Sequence, residues 1–143
     1  MDAVDGHRFD VDIGYDRRLK VTYMDNNGTL QFITYKKEGE NYVQKYKLFL
    51  YKSSWKKLYS MKDLVTESMP KFISGSDEAM KIELSKNIFL QMNKEYLVVD
   101  LRYYWKPEGS QAVPTKNAVS LKYVEFRKLM SHAGVINELM LGA

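Results

Sequence analysis

Between Tyr96 and Trp105 the chain runs Tyr-Leu-Val-Val-Asp-Leu-Arg-Tyr-Tyr-Trp, with apolar side chains at every second position: Leu97, Val99, Leu101, Tyr103 and Trp105. A period of two in a segment rich in β-branched and aromatic residues predicts a strand with one buried face. A loop bearing Pro107, Gly109 and Pro114 follows, then a short apolar segment from Lys116 to Leu121. Past Leu121 the period changes. Tyr123, Phe126, Leu129, Met130, Ile136, Leu139 and Met140 fall on one helical face. Strand, long loop, short strand and helix are therefore the order at this end of the chain.

The same order can be traced from the beginning. Phe9, Val11 and Ile13 alternate with Asp10 and Asp12, and the two acids read as a wet strand face rather than a metal site. Leu19, Val21 and Tyr23 predict a second strand, and Asp25-Asn26-Asn27-Gly28 supplies the turn to a third, from Leu30 to Tyr35. Lys36 to Asn41 reads as a polar loop around Gly39, and Lys45 to Tyr51 as a fourth strand. Ser53 or Ser54 is the expected cap of a helix with Trp55, Leu58, Tyr59, Met61, Leu64 and Val65 on its apolar stripe, stopped by Met69-Pro70. A connector over residues 71–80, with Ser74-Gly75-Ser76 at its centre, precedes a second set of strands at Ile82 to Leu84, Ile88 to Met92 and the alternating segment, with a turn at Asn93-Lys94-Glu95. Leu50, Trp55 and Leu58 repeat the spacing of Leu121, Phe126 and Leu129. The chain reads as two diverged copies of one β-β-β-β-α unit, over residues 1–70 and 81–143, in an α+β protein.

A chain of 143 residues can bury one good core, and with 45% hydrophobic and 28% charged residues it reads as globular. Half of it cannot comfortably do so, which predicts two curved antiparallel sheets paired within the chain as a pseudo-dimer. Further homodimerisation stays open. The absence of cysteine removes disulfides, thiolate metal sites and cysteine nucleophiles. His7 and His132 have no neighbours spaced for a triad or a metal, and the glycines are scattered singly, so neither an enzyme nor a cofactor is expected. No apolar run reaches membrane-spanning length, and residues 1–10 lack a signal-peptide core; the expectation is an intracellular protein with no membrane partner. The net charge of +4 permits a polyanion without demanding one.

The second copy carries a more specific pattern: Asp100-Leu101-Arg102, Tyr104-Trp105, Pro107-Glu108-Gly109, Pro114, Lys116, Ser120-Leu121, Phe126 and Leu129. In these residues it resembles the positive cofactor 4 family of transcriptional coactivators and single-stranded DNA-binding proteins. The tandem arrangement also resembles the purine-rich-element-binding family, which takes both DNA and RNA, and the fold implied is of the kind those families share with the Whirly proteins. The resemblance implies a cofactor-free binder of single-stranded DNA, with RNA as the alternative, working with transcription or replication proteins in the nucleus or another DNA-containing compartment. It implicates Lys86, Arg102, Trp105 and Lys116 in the contact. The first copy lacks the arginine, having Ile33-Thr34-Tyr35 there, but from Lys36 to Lys57 it holds seven lysines against two glutamates, interleaved with Tyr42, Tyr46, Tyr51 and Trp55. Lys36, Lys37, Lys45 and Lys47 are its expected phosphate contacts. Trp55 and Phe126 belong to the core.

Alternatives remain at several positions. Arg102 can be held by Asp100 or Glu125 instead of a phosphate, and Trp105 can serve a core or an interface as readily as a base. Asn117-Ala118 stands where the family has a lysine-glycine pair, and Asn93-Lys94-Glu95 where it has an aromatic and a basic residue. A degenerate copy of the fold acting as a protein-interaction adaptor in a transcription complex is the contrasting reading.

Overall fold

The computed structural model describes residues 9–142; His7 and the start of the first copy lie outside them. The elements are β1 (Asp10–Asp12), β2 (Leu19–Met24), β3 (Thr29–Glu38), β4 (Asn41–Leu50), α1 (Lys52–Ser60), α2 (Lys62–Ile73), β5 (Met80–Ser85), β6 (Ile88–Met92), β7 (Val98–Trp105), β8 (Val113–Lys122), α3 (Tyr123–Ser131) and α4 (Ala133–Leu141). They build an α+β fold of two antiparallel four-stranded sheets, β1-β2-β3-β4 and β5-β6-β7-β8, each followed by a helical pair. Register explains the alternation that the sequence displays. Val21, Phe32 and Leu48 stand opposite one another across β2, β3 and β4, as Leu90, Leu101 and Val119 do across β6, β7 and β8. All six are buried. So are Trp55, Leu58, Phe126 and Leu129 on the helices, and one hydrophobic cluster runs through both units.

Several elements end elsewhere than the residue pattern predicts. Lys36 to Asn41 is not a loop, because β3 and β4 pair as far as Glu38 and Asn41 and turn through Gly39-Glu40, with Gly39 at φ 63°. This end of the hairpin projects beyond the core, so both faces are wet and alternation gives no signal. Backbone pairing needs no buried face. β8 likewise starts at Val113 rather than Lys116; it is an edge strand, which tolerates Pro114.

Neither Ser53 nor Ser54 caps α1: Tyr51 takes the N-cap position with no side-chain bond, and the Ser54 hydroxyl shares a hydrogen bond with Ser85 at 2.6 Å. Pro70 does not end a helix. It lies inside α2, with Pro70 and Thr66 both on the exposed face, so the Thr66 carbonyl that loses its helical donor can turn to water. The stop comes at Gly75, φ 89°, where the N–H groups of Gly75 and Ser76 bond the carbonyls of Phe72 and Lys71. Hence residues 71–73 of the expected connector are helical. Each helical stretch is also broken once, at Met61 (φ −95°, ψ 1°) and His132 (φ −98°, ψ 5°), each the residue after a nine-residue helix. The repeated break supports the reading of two copies of one unit.

The units are fastened by their β1–β2 and β5–β6 connections. Gly14 allows the first to fold back, since a Cβ there would lie 1.9 Å from the Arg17 carbonyl oxygen. The loop then reaches α3, where Glu125 is fully buried. Its carboxylate accepts the Tyr15 N–H (2.8 Å), Arg17 Nε (2.9 Å), Arg17 Nη2 (2.6 Å) and the Lys122 N–H (2.7 Å). In the other direction, Ser85 at the end of β5 meets Ser54 on α1, at the position Glu125 holds on α3. Trp55 Nε1 donates to Asn137 Oδ1 at 2.7 Å across the same seam.

Burial works to raise the Glu125 pKa, but the Arg17 side chain and the Tyr15 and Lys122 backbone N–H groups outweigh it and hold the carboxyl below its ordinary 4.5. The folded state therefore binds this proton less readily than the unfolded chain. The resulting stability is complete above the unfolded pKa and is lost as pH falls through the lower folded value. We expect Glu125→Gln to lower stability near neutral pH by about 3 kcal/mol, since one partner of a buried pair is removed. Urea unfolding from neutral to acid pH checks this, with the variant losing less stability than the parent below pH 4.5. Equal stability, or an unchanged acid slope, would overturn it.

Candidate nucleic-acid interface

Each sheet sends out a hairpin arm beyond a bulge, at Thr34/Tyr35 in β3 and at Arg102/Tyr104 in β7. Past these points the pleat no longer faces the core, and the side chains are free to meet a partner. The first arm carries Lys36, Lys37, Tyr42 and Lys45, and the second Trp105 and Lys116, all exposed. Lys86 is exposed in the β5–β6 turn, and Lys47 is half-buried on β4. None of these lysines forms an ion pair with a described carboxylate. Lys45 lies over the Tyr46 ring at 5.1 Å and Lys47 over Phe49 at 5.7 Å.

Arg102 has a different position. Its Nε and Nη2 donate to the two oxygens of Asp100 (3.1 and 3.0 Å), and Nη1 donates to the Thr115 carbonyl at 2.6 Å. Ser120 Oγ donates to the same Asp100 carboxylate at 2.7 Å. The hydrogen bond to Asp100 raises the guanidinium pKa against the opposing effect of burial. Of the partners open to Arg102, Asp100 takes it, while Glu125 takes Arg17. The charge is balanced locally and most of the fork is occupied, which makes Arg102 a brace between β7 and β8. Trp105 is 56% exposed, so it is no core residue.

Of the residues singled out from sequence, four line three separate surfaces, while Lys36, Lys45, Trp105 and Lys116 stand on the arms outside them. Lys47 and Lys86 line a groove of about 490 Å³ where the units meet. Lys37 lines a second depression with Asp12, Asp16, Arg17, Arg18, Tyr35 and Tyr42, in which the Arg18 guanidinium lies 4.9 Å from the Tyr42 ring centre and 5.7 Å from that of Tyr35. Arg102 belongs to a third, on the outer face of the second sheet, with Gln91, Asp100, Tyr104 and Ser120. Beside it, Lys81 lies over the Phe89 and Tyr104 rings at 4.8 and 4.6 Å. Sequence reasoning missed Phe49, Tyr103, Arg18 and Lys81 as surface-forming residues. The rings under Arg18 and Lys81 come from other strands, and Tyr103 meets Phe49 only across the seam, so the register and the pairing of the units were needed to find them; the Lys47–Phe49 pair lies within one strand.

Among the described residues no group of histidine and acidic side chains is placed to hold a metal, and no helix is long and apolar enough to cross a membrane. Comparison with protein-family models, with curated proteins and with solved structures finds no match for this chain.

If Arg102 is a brace, its loss strands the Asp100 carboxylate. We expect Arg102→Ala to cost about 2 kcal/mol in urea unfolding, and Asp100→Ala/Arg102→Ala to lose less than the sum of the single changes. Additive losses would show that the two side chains do not act as a pair.

Proposed function

We propose that this protein binds single-stranded nucleic acid, DNA before RNA, in transcription or replication, with its two units paired as an intramolecular pseudo-dimer of the positive cofactor 4 kind. The observation that carries the reading is the set of exposed or half-buried lysines that pair with no described carboxylate and share surfaces with exposed aromatic rings: Lys37 opposite Tyr42 on one arm, where Lys36 and Lys45 are also exposed, Lys116 and Trp105 both exposed on the other, and Lys47 and Lys86 at the seam with Phe49 and Tyr51. Ammonium groups without carboxylate partners can follow a phosphate chain. Ring faces open to solvent can accept bases, but only bases that are unstacked, which selects single strands over duplex. The preference for DNA rests on the resemblance of the Asp100 to Leu129 region. The pseudo-dimer is supported by the reciprocal contacts at Ser54 and Glu125 and by the repeated helical breaks. No chemistry is assigned to the surface; its mechanism is electrostatic tracking with stacking.

Fluorescence anisotropy with labelled oligo-dT, duplex DNA and single-stranded RNA, at low and near-physiological salt, tests this. Single strands are expected to bind in preference to duplex, with an affinity that falls steeply with salt. Replacing Lys36, Lys37, Lys45 and Lys47 by alanine should reduce the slope of log K against log salt by about 3, at about 0.7 per lost phosphate contact. A folded sample that fails to bind single strands at low salt would remove the proposal and leave the adaptor reading, and an unchanged slope in the variant would take these four lysines out of the contact.

A further inference from the structure

We infer that the groove at the seam is a nucleotide pocket, which takes one unstacked base and a flanking phosphate of the bound strand; this rests on single-strand binding and gives that binding its principal base contact. The cavity of about 490 Å³ has the size of a small-ligand site. Its walls come from both units: Lys47, Phe49 and Tyr51 from the first, Lys86, Tyr103 and Asn117 from the second.

The lining identifies the occupant. Among the described residues it has no acidic side chain, and its only charges are the Lys47 and Lys86 ammoniums, neither paired with a described carboxylate. An anion is therefore the complementary ligand. Most of the remaining surface is apolar or aromatic, so a fully hydrated inorganic ion would leave it uncovered. A planar ring joined to a phosphate satisfies both parts. Phe49 and Tyr51 are 40% and 56% exposed, so they have ring surface to cover, and the Asn117 amide and Ser53 hydroxyl can bond a base edge.

The floor is built before any ligand arrives. Leu48 and Ile88 are buried there, and the Ser54–Ser85 hydrogen bond ties α1 to the β5–β6 turn. In that turn Asn87, directly after Lys86, takes φ 68°, a left-handed conformation that asparagine tolerates. A single unit would supply only half the walls.

Oligo-dT containing 5-iododeoxyuridine, photo-crosslinked to the full chain and mapped by mass spectrometry, tests the pocket together with anisotropy on Tyr51→Ala and Lys47→Ala/Lys86→Ala. Adducts are expected on Tyr51, Phe49 or Tyr103. Tyr51→Ala, at a side chain exposed enough to be changed without unfolding, should weaken binding about tenfold with its salt slope kept. The double lysine change should lower that slope by about 1.4. Adducts confined to other surfaces such as Trp105, or undiminished binding by Tyr51→Ala, would overturn the pocket while single-strand binding by the parent stands. Failure of the folded parent to bind any single strand would remove both.

Discussion

A carboxylate stripped of water must recover its hydration from the protein, and Glu125 does so only when both units are present. Two of its four hydrogen bonds come from the Arg17 guanidinium and one from the Tyr15 N–H, all in the first unit, and the fourth from Lys122 beside it. In the assembled chain, a buried acid left with the Lys122 N–H alone would be penalised heavily, and the Tyr15 and Arg17 donors of the first unit remove that penalty. The association of the two sheets is thus written into polar chemistry as well as into the shared core. Hydrophobic burial explains why the units stay together; Arg17 and Glu125 specify how they meet.

The corresponding position on α1 is Ser54, and the difference shapes the surface. A second glutamate there would place a carboxylate at the edge of the groove that Lys47 and Lys86 line, and would neutralise it. The neutral Ser54–Ser85 bond performs the same fastening without charge. A chain made of two identical units would have either two ion-paired latches or two neutral ones. Divergence allows one of each, and leaves the positive charge at the neutral seam unopposed.

What was readable in the sequence follows from where burial acts. Strands with one face in the core must alternate, so Leu19 to Tyr23 and Val99 to Leu101 announce themselves, whereas Leu97 and Trp105 continue the pattern outside the core; the shared spacing of Leu50, Trp55 and Leu58 with Leu121, Phe126 and Leu129 anticipates the repeated order of elements. The arms beyond the bulges bury nothing, and there Lys36 to Asn41 looks like a loop although it is a hairpin end. Pro70 misleads for a related reason: proline ends a helix when the freed carbonyl is sealed from water, and on the exposed face of α2 it is not. For the surface, the lysine-rich window was legible as composition. The Asp100–Arg102 pair was legible, since the two stand two residues apart on one strand face, but the cross-strand bond from Arg102 to the Thr115 carbonyl, and Lys47's place away from every described carboxylate, depend on register.

The resemblance and the free charge therefore fall on different halves. The second unit holds the more specific pattern, yet its arginine is balanced by Asp100, and Ser120, Gln91 and Tyr104 hydrogen-bond among the groups around it, making the outer face of that sheet a braced, nearly neutral surface. The first unit resembles the family weakly but supplies four of the six lysines of the candidate interface, Lys36, Lys37, Lys45 and Lys47 against Lys86 and Lys116, none paired with a described carboxylate. A strand lying across such a molecule would meet phosphate contacts chiefly on one side and hydrogen-bonding, ring-bearing surface on the other. The seam, where Lys47 and Lys86 approach the same groove from opposite units, is the place where both kinds of contact are available at once.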